Sequence, residues 1–133
     1  MLSHHQDPGP EFVGNFMRRA LEDPDPVMAE SAVIQLLAHP AVAESTLDHV
    51  EERLPASWKT ARQHLRERRV RLPIERGDLC QSRLLAAVAV DSGRVQLWML
   101  DEVDLPASVL RVLASEGVTR AIRNRARQRL AGD

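Results

Sequence analysis

The chain has no tyrosine and only two tryptophans and two phenylalanines among its 133 residues. So few rings argue against aromatic cages and base-stacking platforms, and any core must be aliphatic. A single cysteine, Cys80, rules out an internal disulfide and every metal site built from several thiolates, and it is compatible with a reducing cytosol. No apolar run approaches the roughly 18 residues of a membrane span, and the first ten residues lack the basic and apolar blocks of a signal peptide. There is no phosphate-cradling glycine loop, no nucleophile elbow and no zinc-ligand spacing. Lysine and arginine total 18 against 19 acids, a formal net charge of -1, so overall electrostatics favour neither nucleic acid nor membrane. The expectation is a cytoplasmic protein without cofactor, metal or membrane contact, and more a binding protein than an enzyme.

What the chain does have is self-similarity. Ala61-Arg62-Gln63-His64-Leu65 returns as Ala126-Arg127-Gln128-Arg129-Leu130. Upstream, at an offset of 63, Val42 to Leu47 lies over Leu105 to Leu110, with Ser45 meeting Ser108 and Leu47 meeting Leu110. Ile34, Leu37 and Val50 likewise meet Leu97, Leu100 and Leu113. The offset becomes 65 at the pentapeptide, which calls for two extra residues around Glu116-Gly117, in the turn before the last helix. Self-similarity of this kind points to stacked supersecondary units, here an internal repeat of about residues 33–65 and 95–130.

Met1 to Pro10 has no apolar periodicity and reads as a flexible lead, leaving 11–133 as one helical-repeat domain. Phe12, Phe16, Met17 and Ala20 fall at helical spacing. Asp23-Pro24-Asp25-Pro26 stops that helix and starts the next, Asp25 being a suitable N-cap and Pro26 suited to the first helical position. Val27 to His39 places Val33, Ile34 and Leu37 on one face, and Ala43 to Arg53 turns Leu47 and Val50 inward. The next helix runs to about Arg69, with Arg71 to Ile74 an extended linker. Asp78 and Gln81 have capping-box spacing ahead of Leu79 to Val90, whose apolar run Leu84–Val90 reads as a buried central helix. Its rival is a β-hairpin, because Asp91-Ser92-Gly93 has the length and glycine of a three-residue hairpin loop. The helical reading is preferred, since Leu97 and Leu100 align with Ile34 and Leu37. Pro106 opens a further helix, Gly117 suits its left-handed C-terminal position, and Thr119 caps the last helix to Leu130.

Short amphipathic helices with Pro or Ala opening alternate members resemble the HEAT and armadillo-like α-helical repeats. Asp23-Pro24-Asp25-Pro26, Leu37-Ala38-His39-Pro40-Ala41-Val42 and Ile122-Arg123-Asn124-Arg125-Ala126 are most similar to the leucine-rich-repeat-variant branch, over residues 23–131. The repeat here is longer than that branch's unit, and the cysteine cluster of some members is missing, so their iron–sulfur chemistry does not carry over. The resemblance implies a curved binding scaffold. The expected fold is all-α, a short right-handed solenoid of about seven to eight helices; the alternative is α+β with a hairpin at 84–100.

Charge is unevenly distributed. Residues 1–54 carry ten acids against three bases, residues 55–83 eight bases against three acids, and residues 119–133 five bases against one acid. Lys59, Arg62, Arg66 and Arg69 form one helical stripe beside Trp58, Ala61 and Leu65. Arg120, Arg123 and Arg127 form an equivalent stripe beside Ile122, Ala126 and Leu130. Bidentate arginines suit carboxylates or phosphates. Two uses compete with a solvated face neutralised by Glu44, Asp48, Glu51 and Glu52. One is a basic surface for an acidic segment of a protein partner, with Trp58 as a possible anchor; the other is a nucleic-acid or phosphate site on the same arginines. Trp58 and Trp98 also fit core positions. His4, His5 and Asp7 could chelate a metal only adventitiously, and His39, His49 and His64 lack partners at ligand spacing. Cys80 in a helical first turn reads as a bystander thiol. Uncapped repeat ends would allow homo-oligomers.

Overall fold

A computed structural model describes residues 9–132, and all its regular structure there is α-helical. The lead expected over residues 1–10, apart from Gly9 and Pro10, and the His4, His5 and Asp7 cluster lie outside the described residues. The chain divides into two compact units, one running to Leu72 and the other from Pro73.

The first unit opens with α1 (Pro10–Glu22) and α2 (Pro26–Leu37). Between them, the Asp23 carboxylate accepts the Asp25 N–H at 2.8 Å. Asp25 in turn accepts from Val27 and Met28, satisfying two amide donors that the start of α2 would otherwise leave open. Pro26 costs no hydrogen bond because the first helical position has no partner for its nitrogen. α3 (Glu44–Arg53) and the first part of α4 (Lys59–Glu75) complete this unit. α1 packs on both α2 and α3. The core joins Val13 and Met17 of α1 to Val33 and Leu37 of α2, Leu47 and Val50 of α3, and Ala61, Leu65 and Leu72 of α4. Each fully buried leucine contributes about 1.5–3 kcal/mol relative to an exposed one.

The second unit contains α5 (Gln81–Ala89), α6 (Gly93–Glu102), α7 (Ala107–Glu116) and α8 (Arg120–Leu130). α5 packs on α6 and α7, and both α6 and α7 pack on α8. Buried positions in the two units keep step: Val33 and Gln96, Leu36 and Met99, Leu37 and Leu100, Val42 and Leu105, Leu47 and Leu110, and Val50 and Leu113 are each 63 residues apart and buried. Ile34 and Leu97 do not share this, Leu97 being exposed.

The preferred helical reading of 84–100 holds and the rival hairpin does not form, because the three residues that resemble a hairpin loop are instead a helix junction; four other local expectations are corrected. Asp91, at φ 56°, follows the end of α5; Ser92 caps α6 through its hydroxyl, which accepts the Val95 N–H at 3.3 Å; and Gly93 begins α6. Nor is Leu84–Val90 buried all round: Leu84, Ala87 and Val88 face inward while Ala86 and Ala89 are exposed, and α5 starts at Gln81 with Cys80, not Asp78, at its N-cap. The 71–74 linker is helical, with Leu72 and Ile74 buried. Pro73 lies in the last turn of α4, which ends in a Schellman closure. Asp78 N–H donates to Pro73 O and Gly77 N–H to Ile74 O, with Gly77 left-handed at φ 97°. Gly117 is not left-handed, having φ -54°. A Cβ there would lie 2.7 Å from Leu113 O and 2.8 Å from Ile122 Cγ2, so close packing is what requires glycine.

The shifted offset of the pentapeptide also has a different origin. The turn before α8 (117–119) is shorter than the turn before α4 (54–58), so no residues are inserted there. Ala61 is the third residue of α4, whereas Ala126 is the seventh of α8. Four residues are close to one helical turn, so both alanines still point inward and both are fully buried.

Candidate functional site

The two basic stripes belong to different units, and each lies on a single helix. Trp58 sits just before α4, half-buried against the first unit's core, and Lys59 and Arg66 are exposed. Arg62 is only partly exposed. Its Nη2 donates to Leu54 O at 2.6 Å and its Nε to Pro55 O at 3.1 Å, so it ties α4 to the C-cap of α3 and to the residue after it, whose carbonyl also accepts the Trp58 N–H. Arg69 reaches back to α3, donating to Asp48 at 2.7 Å and to Glu51 at 3.3 Å. Burial disfavours its charge, but the Asp48 hydrogen bond and the two carboxylate charges outweigh that, and its pKa is raised. Arg66 donates to Gln63 at 2.6 Å. Of the four bases of the first stripe, Arg69 is therefore engaged by the acidic helix that precedes it and Arg62 by the backbone just after that helix, while Arg66 bonds only within α4 among the described residues.

α8 divides its arginines differently. Arg125 pairs with Asp101 of α6, and Arg129 donates to Leu100 O near the C-terminus of the same helix. Arg123 donates to Gly117 O at 2.8 Å and is half-buried. Arg120 and Arg127 stand seven residues apart, two turns of one face, and both are exposed. Among the described residues the Arg127 guanidinium bonds to the neighbouring Asn124 amide oxygen, at 3.0 Å, and α8 contains no acid that could neutralise either arginine. Thr119 starts the helix as expected, its hydroxyl accepting the Ile122 N–H at 3.2 Å.

Sequence reasoning missed two residues that set these helices in place. Glu30 of α2 accepts the Ala61 N–H at 2.9 Å, occupying an open donor in the first turn of α4. Gln96 of α6 is fully buried; its amide donates to Val88 O at 3.1 Å and accepts the Val118 N–H at 2.9 Å just before α8. In each unit a side chain from the second helix thus fixes the start of the arginine-bearing one. Gln96 falls in a stretch of apolar residues, and a lone polar residue at an inward position was the available signal.

The remaining candidates are quieter. His39 accepts the Ala41 N–H at 3.0 Å, and no group of three metal-ligating side chains occurs among the described residues. Cys80 is exposed, with Sγ 3.3 Å from Ser82 Oγ. Hydrogen bonds from the Cys80 side chain and backbone, with Arg83 alongside, hold the Asp78 carboxyl below its ordinary pKa. Trp98 is half-buried, and no described helix is long and apolar enough to cross a membrane. Comparison with known families, with characterised proteins and with solved structures finds no match.

Proposed function

We propose that this chain is a non-catalytic protein-interaction module of HEAT or armadillo-like type, a short right-handed solenoid that offers a basic helical face to an acidic segment of a partner. The observation that carries the reading is the pair Arg120 and Arg127: two exposed guanidiniums on one face of a helix without acids, with Arg123 between them using one donor on Gly117 O. Guanidiniums held this way by a packed helix are preorganised for carboxylates, which they engage bidentately. The stepwise match of buried positions at an interval of 63 supports the repeat architecture. Lys59 and Arg66 add exposed charge on α4, whereas Arg62 and Arg69 position α3 and α4 and contribute less to any partner.

Titration of a fluorescent glutamate-rich peptide and of a fluorescent duplex DNA, each over a series of salt concentrations, tests the proposal. Saturable peptide binding with a shallow salt dependence is the expected result. Tighter binding to the duplex, with a log–log salt slope of about -0.9 per phosphate neutralised, would replace this reading with the nucleic-acid one.

A further inference from the structure

The α1–α2 pair carries a groove of about 440 Å³ that the basic face does not use. Phe12 and Phe16, with ring centroids 6.0 Å apart, line it together with Ala20, Ala29 and Ala32. Ala20 and Ala29 are buried, which gives the groove a shallow floor of methyl groups, while Phe12 remains 38 % exposed beside it. The polar residues at the groove are Asn15, Arg19 and Asp23. Arg19 and Asp23 are one helical turn apart, yet no ion pair joins them among the described residues, and Asp23 accepts the Asp25 N–H through only one oxygen. The same helix pair leaves Val27 72 % and Met28 62 % exposed.

We infer that the occupant of this groove is the same face of a second copy of the chain, related by a two-fold axis. The patch contains both a knob, Phe12, and a hole floored by alanines, and it contains one cation and one anion. A two-fold operation presents each feature to its complement twice, so a self-complementary patch closes as a dimer. Arg19 of one copy meets Asp23 of the other, and the reverse, with no net charge brought together. A foreign segment of either sign would match one of these charges and face repulsion from the other, which argues for the second copy as occupant.

The test is the mass in solution of the full chain, by sedimentation velocity or light scattering, from micromolar to millimolar concentration. The expected result is a two-chain particle that dissociates on dilution. Phe12→Asp, Arg19→Asp and Asp23→Arg should each weaken it at least tenfold, with helical circular dichroism retained. Mixing the Arg19→Asp and Asp23→Arg chains should restore the two-chain mass, since each then supplies the charge that the other lacks. A single-chain mass throughout for the unmodified protein, a dimer indifferent to Phe12→Asp or Arg19→Asp, or a ladder of masses beyond two chains would overturn the inference. So would a mixture of two folded variants that stays monomeric. If Asp23→Arg unfolds through loss of its bond to Asp25, Phe12→Asp and Arg19→Asp decide the question alone.

Discussion

α4 and α8 look equivalent as sequence and differ in what their arginines do. α4 follows α3, which brings Glu44, Asp48, Glu51 and Glu52 within one short helix, and Arg69 is drawn onto two of them. α8 follows α7, whose only acid is Glu116 at its end, and draws its ionic partner instead from Asp101 of α6. Both helices commit arginines to carbonyl groups at the ends of earlier helices, Arg62 on α3 and Arg129 on α6. The difference lies in what accompanies the remaining bases: Lys59 and Arg66 stay exposed on a helix that also carries Glu67 and Glu75, whereas Arg120 and Arg127 face water on a helix without acids. A basic stripe is therefore a count of charges, whereas a basic face is that count minus what the preceding helices take.

The comparison is tested most severely through the cores beneath the two helices. Leu47→Ala and Leu110→Ala remove buried methyl groups at matched positions, and each should destabilise by about 2–5 kcal/mol in denaturant unfolding. A silent result at either position would break the match between the units. The next largest effect is expected at the turns. Gly117→Ala pushes a methyl into the Leu113 carbonyl and Ile122 and should cost about 1–3 kcal/mol through overpacking. Gly77→Ala has open space around it and should cost only about 1 kcal/mol, from its left-handed backbone. The reverse order would mean that space at Gly117 is less tight than these distances indicate.

The arginines themselves come next. Arg62→Ala removes the charged donor from the carbonyls of Leu54 and Pro55, at and just after the α3 C-cap, and should lower stability by about 1–2 kcal/mol, while Arg120→Ala should stay within about 0.5 kcal/mol. Equal losses would abolish the distinction between structural and available bases. The smallest effect belongs to Asp78, in the turn before α5. Its folded pKa is depressed, so the stability it contributes is present above its unfolded pKa of about 3.9 and is lost as pH falls through the lower folded value. Asp78→Asn should therefore flatten the acid limb of the stability curve slightly and leave neutral pH almost unchanged.

The helical character and most helix boundaries were legible in the sequence, because the signals were local. Asp25, Pro26 and Thr119 act through neighbours two or three residues away, and the apolar spacing of Leu47 and Val50 follows from helix geometry alone. The Pro73 region was misjudged because proline's penalty dominates a local reading, whereas the burial of Leu72 and Ile74 and the closure at Gly77 are properties of the folded chain. The candidate site was half legible. Helical spacing grouped the arginines correctly, but the bonds from Arg62 to Leu54 and Pro55, and from Arg69 to Asp48 and Glu51, depend on which helix ends lie alongside. Gln96 shows the same limit, since its two partners lie 8 and 22 residues away.

The central claim, that Arg120 and Arg127 of α8 are offered to a partner while Arg62 and Arg69 of α4 are used within their own unit, is tested most directly by peptide affinity in two charge-reversed pairs. Arg120→Glu with Arg127→Glu should weaken a glutamate-rich peptide at least tenfold, about 1.4 kcal/mol, without moving the unfolding midpoint. Arg62→Glu with Arg69→Glu should lower the unfolding midpoint and weaken the peptide far less under conditions where the chain remains folded. Unchanged binding in the α8 pair, or a larger loss of affinity in the folded α4 pair, would contradict the account.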